Sequence, residues 1–160
     1  MQYQNPVLDI SEGWLAHLRD LYQMNVDSRD GFAYASERLE EKHSDMARQF
    51  KEYSEQRNRF SMNLKELIQL NHDDPATRGT IAASLHRTWM ELSDMMETTV
   101  DVSGITTEAI RGESYIKEIY EAALNSIDEP TLRAVIESQY ESVRDSYFWL
   151  KEKSAEQQRY

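Results

Sequence analysis

A chain of 160 residues with 29 Asp and Glu against 18 Lys and Arg carries a net charge of −11, a field that opposes phosphate backbones and anionic lipid surfaces. The absence of cysteine excludes disulfides, thiolate zinc sites and cysteine nucleophiles. Five Gly and three Pro are too few for the turns of an all-β sandwich.

No basic n-region followed by a long apolar stretch opens the chain, and no run of about 18 apolar residues follows. A cytoplasmic protein without nucleic-acid or membrane partners is therefore expected. It should form one domain over 12–156, with irregular tails at 1–11 and 157–160.

The first helical pattern runs from Ser11 to Glu41. Leu15, Leu18, Tyr22 and Val26 recur at steps of three and four. The pattern thins over Asp27-Ser28-Arg29-Asp30-Gly31 and resumes with Phe32, Ala33, Tyr34 and Leu39. His43-Ser44-Asp45 breaks it, with Ser44 placed to cap the next helix. Met46, Phe50, Tyr53, Arg57, Phe60, Leu64 and Leu67 then make a heptad stripe whose one discordant member is Arg57. Asn71 to Pro75 ends it.

A shorter amphipathic helix is predicted over 77–98, on Ile81, Leu85, Trp89, Leu92 and Met96. Thr99 to Gly104 reads as a loop, and Thr106 or Thr107 as the next cap. The stripe that follows is Ala109, Glu113, Ile116, Tyr120, Ala123 and Ile127, with Glu113 discordant. Asp128-Glu129-Pro130-Thr131 predicts a tight turn in which Asp128 caps and Pro130 sits in the first turn. The last helix carries Leu132, Ile136, Gln139, Val143, Ser146 and Leu150, with Gln139 and Ser146 discordant.

Two helical hairpins joined by a long helical crossover predict an all-α fold. It is an antiparallel four-helix bundle with ferritin-like connectivity, the crossover lying between the second and third main helices. The chain resembles small bacterial ferritin-like proteins grouped as a four-helix-bundle domain of unknown function. The resemblance lies in DSRDGFAYASE (27–37), FKEYSEQRNRFSMNLKEL (50–67), LHRTWMEL (85–92), RGESYIKEIYEAAL (111–124) and VIESQYESVRDSYFWLK (135–151). It implies a fold and brings no activity with it.

Iron-binding bundles of this kind hold two metals with inward Glu residues and Glu-x-x-His pairs. Of His17, His43, His72 and His86, only His43 follows a Glu at the required spacing, and Glu40 and His43 fall at a turn. No di-iron centre and no cofactor are expected. Arg57, Glu113, Gln139 and an Asp of the first helix (Asp27 or Asp30) instead fall near mid-bundle, where Arg57 can stand as a permanent cation paired with Glu113. The competing reading is a carboxylate site for iron or manganese built from Asp30, Glu37, Glu55 and Glu113.

Trp89, Met90, Tyr147 and Trp149 form a candidate interaction surface, and a homodimer is plausible on that ground. His86 and Arg87 mark the crossover helix. GxSxG, HExxH and Gly-rich phosphate loops are all missing. The sequence thus points to a non-catalytic structural or interaction protein.

Overall fold

The computed structural model describes residues 11–71, 73–75 and 101–159. They form four helices: α1 Glu12–Leu39, α2 Ser44–Leu70, α3 Val102–Ser126 and α4 Pro130–Gln158. No strand occurs among the described residues. None of these helices is long and apolar enough to cross a membrane. The expected crossover helix at 77–98 lies outside the described residues, and with it His86, Arg87, Trp89 and Met90.

Each helix starts where a side chain or a tight turn dictates. Ser11 accepts from the Trp14 amide at 3.3 Å and caps α1. Ser44 does not cap α2. The turn of residues 40–43 is so short that Ser44 is already helical, and His43 holds the cap position without a side-chain bond. α3 starts at Val102, earlier than expected, because Asp101 accepts from the Ser103 amide at 3.2 Å. The hydroxyls of Thr106 and Thr107 instead bond back to the carbonyls of Val102 and Ser103. Glu129, not Asp128, caps α4. Its carboxylate accepts from the amides of Thr131 at 3.1 Å and Leu132 at 2.7 Å, with Pro130 as the first helical residue.

The buried faces are heptads. On α4 they are Leu132, Ile136, Gln139, Val143, Ser146 and Leu150, as read from the sequence. On α1 the core-facing row is Leu18, Leu21, Asn25, Ser28, Phe32, Ala35 and Leu39, at alternating three and four, while Tyr22 and Val26 are only half-buried. On α2 the row is Ala47, Phe50, Ser54, Arg57, Ser61, Leu64 and Ile68, and Tyr53, Phe60 and Leu67 flank it. Small residues let α1 and α2 approach closely. Ser36 donates to the Ala47 carbonyl at 2.6 Å, and Ser54 to the Arg29 carbonyl at 2.8 Å.

α1 packs on α2, α3 on α4, and α1 against α3. Ile68 at the end of α2 shares a core cluster with Ile127 just after α3. Met46 at the start of α2 shares the opposite cluster with Ile105 at the start of α3. α2 and α3 are therefore parallel. The Trp14 indole donates to the Ser126 carbonyl at 3.0 Å, tying the start of α1 to the end of α3.

The two hydrogen bonds at the α4 cap make a prediction. Glu129→Ala should lower stability by about 1 kcal/mol in urea unfolding. Those same backbone hydrogen bonds hold the Glu129 carboxyl below its ordinary range. Its contribution is therefore present above that range and lost as pH falls through the lowered folded-state value. The gap between wild type and Glu129→Ala should close on acidification, and a gap unchanged with pH would remove the cap from this account.

Candidate functional site

The apolar core is divided into two clusters, and a polar level lies between them. Each helix gives it a core-facing residue, Ser28, Arg57, Glu113 and Ser146, and α2 adds Gln56 at its edge. Arg57 and Glu113 are fully buried. The guanidinium meets the carboxylate in two parallel bonds, Nη1 to Oε1 at 2.7 Å and Nη2 to Oε2 at 2.9 Å. Nη1 also donates to Ser28 Oγ at 3.1 Å, Nη2 to Ser146 Oγ at 2.7 Å, and Nε to Gln56 Oε1 at 3.2 Å. All five guanidinium protons are thus used. Ser146 in turn donates to Glu113 Oε2. The ring of Phe32 lies 5.5 Å from the guanidinium carbon, on the side of the second cluster.

One level towards the first cluster lies a neutral network. Asn25 Nδ2 donates both to the Leu21 carbonyl and to the Tyr120 hydroxyl, each at 2.8 Å. Tyr120 donates to Gln139 Oε1 at 2.8 Å. Burial pushes the Tyr120 pKa up, opposed by the Asn25 hydrogen bond. Tyr53 is raised by burial and then by the Glu113 carboxylate. The Tyr120 hydroxyl keeps its proton, as the network needs.

The residues singled out from sequence separate accordingly. Arg57 and Glu113 meet. Gln139 is buried but serves the neighbouring level through Tyr120. Asp27 is buried on the flank of α1, where it accepts from Gln23 at 3.1 Å. Asp30 is exposed and pairs with Arg29 at 2.9 Å. Neither Asp bonds to Arg57 here, because Ser28 holds the core-facing position and each helical residue turns about 100° from the last.

Ser28, Asn25 and Tyr120 were not legible as site residues. The two polar ones lay off the apolar stripe, and Tyr120 reads as an apolar member of its own. The unmet donors of a buried Arg57 were the available signal for nearby hydroxyls. The competing carboxylate set does not converge. Asp30, Glu37 and Glu55 are exposed, and Glu113 is held by Arg57. Glu40 and His43 are exposed at their turn. No group of three His, Asp or Glu that could hold a metal occurs among the described residues.

Of the expected interaction surface, Trp149 is half-buried, with its ring 6.3 Å from the Phe50 ring and 5.8 Å from Tyr53. One side of it meets α2 in the seam between α4 and α2, and Lys153 Nζ lies 5.5 Å over its ring. Tyr147 is half-buried beneath Lys117 and Lys151. Phe148, 57% exposed, is the outward aromatic of this run.

Removing one partner of a buried ion pair strands the other. Arg57→Ala and Glu113→Ala should each cost about 3–5 kcal/mol, and Arg57→Met with Glu113→Leu should be less destabilised than either single variant. Additive losses in urea unfolding would show that the two side chains do not act as a pair. Tyr120→Phe should cost about 1–3 kcal/mol by leaving an acceptor on Gln139 unmet. Raised tyrosine pKa values leave stability intact below about pH 10 and remove it as pH climbs towards the folded-state values. The alkaline fall should therefore be shallower in Tyr120→Phe than in wild type.

A family described as a domain of unknown function, DUF2383, matches residues 14–126. The match covers more than two thirds of the chain, from α1 to the last residue of α3, and includes Ser28, Arg57, Glu113 and Tyr120. Ser146 and Gln139 on α4 lie beyond it. No curated protein and no solved structure matches the chain. The chain belongs to the DUF2383 family of domains of unknown function.

Proposed function

We propose that this chain is a non-catalytic, ferritin-like helical protein with a structural or interaction role. In this reading the Arg57–Glu113 layer stands at the level where inward carboxylates hold metal in iron-binding bundles. The observation that carries it is the complete use of the guanidinium's five protons by residues of the bundle. A satisfied, fully buried cation leaves Glu113 no lone pair facing open space, and a metal ion would meet a permanent positive charge. Desolvation offsets much of the pair's attraction, so its role is to fix helix register more than to add stability.

Elemental analysis of protein purified from iron-, manganese- and zinc-supplemented medium tests this. The wild type should carry no stoichiometric metal, and Arg57→Ala and Glu113→Ala should be destabilised without gaining any. Stoichiometric iron or manganese in the wild type would overturn the reading in favour of a carboxylate site.

A further inference from the structure

The most exposed aromatic side chain among the described residues is Phe148, on the outer face of α4. Its ring packs on that of Tyr147, 5.6 Å away. Four exposed charges surround it, Arg144 and Asp145 before it and Lys151 and Glu152 after it. The ion pairs of α4 among the described residues are Arg133–Glu137 and Lys153–Glu156. None of the four charges around Phe148 has an ion-pair partner there.

These four are sorted by sign. At 100° per residue, with Phe148 at the front of the helix, Arg144 and Lys151 stand about 40° and 60° to one side, and Asp145 and Glu152 about 60° and 40° to the other. The basic side is the one towards α3. Arg144 lies 5.9 Å from the centre of the Tyr140 ring, and Lys151 and the α3 residue Lys117 lie 5.8 and 5.7 Å from that of Tyr147. The acidic side is the one towards α2, where Asp145 adds to the burial and the Glu113 charge that raise the Tyr53 pKa.

We infer that this face of α4 is the interface of a weak homodimer, in which two copies of α4 pack side by side and point the same way, with Phe148 against Phe148. A two-fold axis parallel to α4 brings the basic side of each copy onto the acidic side of the other. Arg144 then meets Asp145 of the second copy, and Lys151 meets Glu152 of the second copy, each pair formed twice. Antiparallel packing would set Arg144 against Lys151 and Asp145 against Glu152, like against like. The chain's charge of −11 opposes self-association in general, but around Phe148 two cations and two anions cancel. Glu141, one heptad before Phe148, would face its own copy, whereas Ala155, one heptad after, offers a small neutral contact. The two copies therefore converge towards Ala155. The inference rests on the interaction role proposed above and gives it a partner: metal content tests that reading, and association tests this one.

Sedimentation equilibrium on the full chain should show a monomer–dimer equilibrium. A patch centred on one helix falls at the small end of specific interfaces, so half of the chains should pair at roughly 0.1 mM. Phe148→Gln, at an exposed position, should raise the dissociation constant about tenfold with the melting temperature unchanged. Lys151→Glu and Glu152→Lys should each weaken the dimer, although the second lowers the net negative charge and on that ground alone would strengthen it. Both changes in one chain should restore association. The chain has no cysteine, so Ala155→Cys gives a single site for a spin label. The parallel dimer sets two labels side by side and broadens their spectrum strongly; an antiparallel one separates their backbones by about 21 Å along the helix. A chain that stays monomeric up to about 1 mM would overturn the inference and leave this face to a different protein. A dimer strengthened by Glu152→Lys, a double variant without rescue, unchanged association in Phe148→Gln, or an unbroadened label would overturn it as well.

Discussion

A guanidinium and a carboxylate buried together at the centre of a helical bundle constrain everything around them. Each ion leaves water at a cost of several kcal/mol, so every proton and lone pair must be met locally. Ser28, Ser146 and Gln56 meet those that Glu113 does not. Because the ligands come from all four helices, the register of each is set by the others. A slip of one helical turn on α1, α3 or α4 would bring Phe32, Ile116 or Leu150 to the level of the charges. The division of the apolar core into two clusters is the visible result.

How much of this was legible depends on how each helix writes its buried face. On α4 the buried face is four apolar residues with two polar interruptions, and its reading stands residue by residue. On α1 and α2 the most buried positions include Asn25, Ser28, Ser54 and Ser61, while Tyr22, Tyr53 and Phe60 flank them. Hydrophobic periodicity follows the larger apolar side chains and so drifts by one position from the face that touches the partner helix. The same bias turned Asp27 and Asp30 into candidates and passed over Ser28. Arg57 and Glu113 stood out because a charge inside a heptad has no other easy explanation.

Helix starts were less legible than helix faces. Capping depends on which of several adjacent acceptors reaches a free amide, and the sequence offers Asp101, Ser103, Thr106 and Thr107 within one short stretch. Asp101 takes that role, and the two threonines turn back on their own helix. Function was less legible still. The chemistry that names an enzyme or a metal protein is a convergence of groups, and here the convergent groups satisfy one another.

At the central level the two hairpins are unlike in charge. The α1–α2 hairpin brings the cation of the central level, and the α3–α4 hairpin brings the anion. Two copies of the first hairpin packed core to core would bury guanidinium against guanidinium, and two copies of the second would bury carboxylate against carboxylate. Only the mixed pairing is neutral. The layer thereby acts during assembly as a rule of complementarity, rejecting like with like before packing detail is tested.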